Sequence, residues 1–197
     1  MQYNFIGIDY GSKLAGTTVI AHYQSDTKPP ILLQSEKKRD ADKFILEFVK
    51  KERPDYIFLD APLSLPGIYT NLPNCESYFY RAGDAELRAM SPMFLGGLTA
   101  RAMQLKAQLE PLGATVLEIY PSQLAKVLGL KELNYKKQVE YLAPVLEKLA
   151  TETPFPLPAN IKNWHQVDAL LALFSGYRYL TQQHLSYGIV AEGQIIV

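Results

Sequence analysis

With 197 residues, 48% of them hydrophobic, the chain is long enough to bury one substantial core and too short for two full α/β lobes closed around a nucleotide. Its 20 Lys and Arg balance 20 Asp and Glu, which argues against a protein that coats nucleic acid by bulk charge but is compatible with a local basic patch. The single cysteine, Cys75, cannot form an internal disulfide, so nothing points to an oxidising compartment and a cytoplasmic location is expected.

The start, Met1-Gln2-Tyr3-Asn4, carries no basic-then-apolar leader. No run of about 18 apolar residues marks a membrane span, so no membrane partner is expected. Tyr3 to Asp9 reads as a strand that turns at Gly11-Ser12 into a second strand within Leu14 to His22. Ile31-Leu32-Leu33 follows Pro29-Pro30 and suggests an edge strand. The period then changes: Phe44, Ile45, Phe48 and Val49 give a helix over 42–51, ended by Pro54. Tyr56-Ile57-Phe58-Leu59 is a buried-strand run that stops at Asp60. The stretch from Ala61 to about Met90 holds three prolines and two glycines with little periodicity beyond a short helix at 84–88, and reads as an inserted loop. A helix over 95–109, a strand over 114–119, helices over 121–128 and 135–150, a long helix over 164–179 and a terminal strand within 189–197 complete the order. An antiparallel meander feeding βαβ units predicts one α/β domain over 1–197, with helices on both faces of a mixed sheet and functional groups at the carboxyl ends of the parallel strands.

Four acids sit at such places. Asp9 ends the first strand, Asp60 ends the buried one, Glu118 lies near the end of Val116-Leu117-Glu118-Ile119, and Asp168 stands at the head of the long helix. Any one of them alone is explained by capping a turn or helix. Clustered carboxylates without basic partners raise one another's pKa unless a divalent cation neutralises them, and oxygen-only donors suit Mg²⁺ or Mn²⁺. Two such ions can clamp a phosphodiester. His165 lies three residues before Asp168 on the same helix face, placed to act on a proton, to ligate, or to orient a carboxylate. Lys13, beyond Gly11-Ser12, could reach a phosphate or stay solvated.

Taken together, Gly7-Ile8-Asp9 with Gly11 and Gly16, Asp60-Ala61-Pro62-Leu63, Arg81, Asp84 with Leu87-Arg88, Glu118-Ile119-Tyr120-Pro121-Ser122, Tyr135-Lys136-Lys137 and His165-Gln166-Val167-Asp168-Ala169 resemble a predicted-nuclease family of the ribonuclease-H-like superfamily. The first and last motifs are also similar to Holliday-junction resolvases of the RuvC type. The resemblance implies a ribonuclease-H-like mixed five-stranded sheet. It also implies metal ligands at Asp9 and Asp168, completed by a central acid, Asp60 or Glu118, with Asp60 favoured. Asp9-Tyr10-Gly11-Ser12-Lys13 is similar as well to the phosphate loop of actin-like and sugar-kinase ATPases, whose second lobe this length leaves no room for.

The inserted loop carries Tyr69, Tyr78, Phe79, Tyr80, Arg81 and Arg88. These residues either stack on unpaired bases and grip phosphates or fold the loop onto the core, with Arg81 paired to Asp84 or offsetting the acidic cluster. Lys136 and Lys137, in the family-like stretch, are further phosphate candidates. The expectation is a two-metal nuclease with Asp9, Asp60, Glu118 and Asp168 as ligands and His165 assisting proton transfer. It would hold nucleic acid locally, and weakly without metal. A non-catalytic binding or scaffold module of the same fold is the alternative, favoured if the carboxylates disperse or an arginine fills their centre. A weakly charged, Tyr-rich surface suits a homodimer.

Overall fold

The computed structural model describes residues 3–197; Met1 and Gln2, where the reading of the chain's start begins, lie outside them. Strands β1 (Phe5–Asp9), β2 (Val19–His22) and β3 (Ile31–Gln34) form the antiparallel meander. Helix α1 (Ala41–Glu52) leads to β4 (Tyr56–Asp60), which pairs parallel to β1. Helices α2 (Ala82–Leu87), α3 (Pro92–Leu95) and α4 (Gly97–Leu109) precede β5 (Thr115–Ile119), parallel to β4. After α5 (Pro121–Val127), α6 (Leu142–Glu152) and α7 (Trp164–Leu180), the chain adds β6 (Ser186–Tyr187) and β7 (Ile195–Ile196) beyond β5. The strand order is β3-β2-β1-β4-β5-β7-β6. The fold is α/β, and its mixed sheet has seven strands rather than the expected five. Of the two extra strands, β7 lies within the terminal strand read over 189–197, and β6 holds two residues, too few to leave a period in the sequence. Among the described residues, no helix is long and apolar enough to cross a membrane.

Strand alternation divides the core into two layers. Phe5, Val19, Ala21, Phe58 and Ile119 face α5, α6 and α7, whereas Ile6, Ile8, Ile20, Ile57, Leu59 and Val116 face α1 and α4. Local signals set the helix ends. Asp40 caps α1 by accepting the amides of Asp42 and Lys43, and Asn163 caps α7 by accepting the amide of Gln166. The helix expected over 135–150 begins only at Leu142, because residues 131–137 form turns in which Asn134 and Lys136 adopt positive φ of 61° and 64°.

Helix α7 lies on β1, β2 and β4 at very short range. A Cβ on Gly7 of β1 would stand 2.1 Å from the Leu173 nitrogen, and one on Gly176 of α7 would stand 2.2 Å from the Phe58 ring. Neither position can hold a side chain without moving helix and sheet apart. Gly7→Ala should therefore cost about 3 kcal/mol, the upper part of the usual overpacking range, read as a lowered urea midpoint with unchanged slope. A conservative Ile45→Val on the other layer should cost about 1 kcal/mol.

Candidate active site

Asp9 and Asp60 are the last residues of β1 and β4 and are direct register partners in the parallel pair. Being in phase with Gly7 and Phe58, they belong to the face covered by α7. The first turns of α7 bring His165 and Asp168 over them. His165 Nδ1 lies 2.8 Å from Asp9 Oδ2. An ionised carboxylate accepts only, so Nδ1 carries the proton and Nε2 is left without a protein partner among the described residues. The bond to Asp9 outweighs burial and raises the His165 pKa.

Asp168, only 1% exposed, is held by two consecutive residues of the turn before α6. The Tyr135 hydroxyl donates to its Oδ1, and the Lys136 ammonium lies 2.5 Å from Oδ2. Burial pushes the Asp168 carboxyl up to about 6, against the pull of Lys136. Lys136 is itself raised: burial opposes its charge, but Asp168, Asp60 and Asp9 outweigh that. Asp60 makes no side-chain hydrogen bond or ion pair among the described residues, and burial together with Asp9 and Asp168 drives its pKa well above the usual carboxylate range.

Glu118 does not join them. Its register partner is Leu59, not Asp60, so it points to the other face of the sheet. There it meets Arg81, 1% exposed, whose Nη1 and Nη2 donate to its two oxygens at 2.7 and 2.6 Å. Arg81 also donates to Asp84 through Nε at 2.9 Å and Nη2 at 2.8 Å. Burial pushes Glu118 up and Arg81 pulls it down. With the Leu63 amide donating as well, at 2.8 Å, every neighbour of its oxygens is a donor, which fixes the ionised form. Of the readings given for Arg81, the structure shows the pairing with Asp84, extended to Glu118: rather than touching substrate or offsetting the cluster, the guanidinium is sealed in a buried ion network that anchors the segment after β4. Glu192 strengthens the anchor by accepting the amides of Gly67 and Ala82.

The other expected phosphate ligands are at the surface. Lys13 pairs with Asp40 at 3.2 Å, and Arg88 and Lys137 are exposed without ion pairs among the described residues. Sequence reasoning missed Tyr135 as a site residue, although it stands beside Lys136 in the quoted stretch.

No family model matches the chain, and no curated protein matches it. Among solved structures it is similar to Thermus thermophilus RuvC in complex with Holliday junction substrate. The match has 16% identity and a TM-score of 0.48, over 92% of this chain and 97% of that one.

Whether the cluster suits a metal turns on its donors. Asp9, Asp60 and Asp168 offer only hard oxygen, and Asp60 is an uncompensated carboxylate, as a Mg²⁺ or Mn²⁺ ligand would be without its ion. The donor chemistry fits. Among the described residues, however, no three His, Cys, Asp or Glu side chains are already spaced around one ion; Lys136 supplies the positive charge at Asp168.

Arg81→Met leaves two buried carboxylates unpaired and should cost about 3–5 kcal/mol in urea unfolding, with part of the loss recovered by adding Glu118→Gln. In chelator, Asp60 and Asp168 hold protons in the folded chain that the unfolded chain has already released, and the raised His165 acts in the same direction. Stability should therefore fall as pH rises from about 4, the ordinary Asp value, through the Asp168 value of about 6 and beyond. Asp60→Asn should raise the Tm at pH 8 in chelator and remove any Tm gain from Mn²⁺; a wild-type Tm indifferent to Mn²⁺ would speak against the cation.

Proposed function

We propose that this protein is a metal-dependent nuclease that hydrolyses phosphodiester bonds at the Asp9, Asp60 and Asp168 cluster. The observation that carries the reading is Asp60, a carboxylate in register with Asp9 that has no hydrogen-bond or ion-pair partner among the described residues and whose pKa is raised by burial and by the charges of Asp9 and Asp168. Asp9, Asp60 and Asp168 would hold Mg²⁺ or Mn²⁺. A pair of such ions would supply an activated water and stabilise the leaving oxygen. The chain's own residues do the rest. Asp9 orients His165 through Nδ1, which leaves Nε2 free to accept or deliver a proton at the reacting phosphate. Tyr135 fixes the carboxylate of Asp168. Lys136, whose side chain is 43% exposed, would exchange Asp168 for a substrate phosphate when the cation arrives, with Lys13, Arg88 and Lys137 adding surface charge. Glu118 and Arg81 stand apart from the phosphodiester chemistry and act on the segment they anchor.

The same Lys136 contact favours a second reading, a non-catalytic module in which the ammonium is the permanent counterion. The two separate in one experiment: purified protein with labelled single-stranded, duplex, flapped and branched DNA and RNA, in Mg²⁺, Mn²⁺ or chelator. Cleavage that needs the cation and drops at least about a hundredfold in Asp9→Asn and Asp168→Asn supports the nuclease. No cutting of any substrate, or cutting that the variants retain, defeats it.

A further inference from the structure

Asp60 also borders a cavity of about 230 Å³ at the carboxyl ends of β1, β4 and β5. Its walls are apolar, built from Pro62, Met90, Leu95, Leu98 and Ile119. Its charged members are Asp60, Asp84 and Glu118, and among the described residues no Lys, Arg or His lines it. A phosphate would be repelled there. The occupant must be neutral, must present apolar faces and must offer N–H donors to the oxygens of Glu118 and Asp84, whose hydrogen-bond neighbours are all donors.

The acceptor capacity can be counted. Glu118 takes three N–H bonds, two from Arg81 and one from Leu63, and Asp84 takes three, from the Arg81 amide, Nε and Nη2. A carboxylate has about four acceptor sites, so each has about one left for a ligand. The volume is below the roughly 300–1,000 Å³ of pockets for drug-sized molecules, which limits the occupant to one small ring system. Because Asp60 belongs both to this cavity and to the carboxylate cluster, that ring lies next to the phosphodiester site.

We propose that the cavity is a base pocket. It takes the unpaired, amino-bearing base of a nucleotide adjacent to the phosphodiester on which the cluster acts, and so rests on the nuclease reading above. Adenine, cytosine and guanine each present an exocyclic amine; the edge of uracil or thymine would aim two carbonyls at the acceptor oxygens of Glu118 and Asp84. A paired base cannot enter, because its edge is occupied by its partner and leaving the stack costs energy. Next to the wall residue Leu95, Phe94 is 65% exposed and stacks with Phe79 at 5.6 Å, an open aromatic surface of the kind on which further unpaired bases stack.

Binding in chelator, where no cutting occurs, tests the pocket alone. Full-length protein is titrated with short single strands of adenine, cytosine, thymine or abasic residues and with an adenine strand carrying one fluorescent 2-aminopurine. Wild type should bind adenine and cytosine strands about tenfold tighter than thymine or abasic ones, the size expected of one base contact, and the 2-aminopurine emission should change. Filling the cavity by Ala89→Leu, or separately by Leu98→Phe, should erase that preference while circular dichroism stays native. Equal binding of all strands by wild type overturns the pocket without any variant, as does a preference that survives in both folded variants. Base preference without metal-dependent cutting removes the nuclease reading and keeps the pocket; cutting at equal rates beside every base and beside abasic sites does the reverse.

Discussion

Helix α7 touches the backbone of β1 at Gly7 with no side chain between them, and the position of every group in the carboxylate cluster follows from that contact. Asp168 lies five residues before Leu173, the residue whose nitrogen faces Gly7, so a small separation at Gly7 would lift the head of the helix away from the strand ends. Gly176 repeats the device against Phe58 one turn beyond Leu173. Both contacts are within a fully packed layer, where strain is transmitted rather than absorbed. Hence two residues without side chains govern the spacing between the acids of the sheet and those of the helix.

The sheet solves the same electrostatic problem differently on its two faces. On the side of α1 and α4, Glu118 and Asp84 are met by the forked guanidinium of Arg81, whose rigid geometry satisfies both at once. That network is closed and leaves little for a charged ligand to add. On the side of α7, three acids face one ammonium and one imidazole, and the compensation is uneven. Asp9 and Asp168 each have a partner, whereas Asp60 has none among the described residues and is driven toward its neutral form. A closed ion network suits anchorage of an inserted segment; an open one suits a site where charge arrives from outside.

Much of this was legible before the structure. Asp9 and Asp60 each end a continuous apolar run, and the i, i+3 spacing of His165 and Asp168 puts them on one helical face. The pairing of Arg81 with Asp84 was among the stated alternatives on the same spacing. Glu118 was harder: it has the right position along its strand and the wrong parity across it. The signal was available, since Ile119 follows Glu118 and continues the apolar run, which places the acid inside the strand rather than at its end. Residues 135–141 were misread as helix because their residue types tolerate helix, and only the tertiary demand of Asp168 overrides that weak preference. The pockets and exposed aromatics depend on which distant segments meet, and no local pattern encodes that.

The turn around Tyr135 explains why that override is worth its cost. In a helix, consecutive side chains diverge by about 100°, so Tyr135 and Lys136 could not both reach one carboxylate. Left-handed backbone at Asn134 and Lys136, at about 1 kcal/mol or more each, turns the two side chains onto the two oxygens of Asp168. The pair is asymmetric. Tyr135 is 4% exposed and wedged against Trp164, so its hydroxyl is a fixed support. Lys136 approaches from solvent on a flexible stem and can leave without disturbing the core. One residue therefore holds the carboxylate in place while the other only lends it charge.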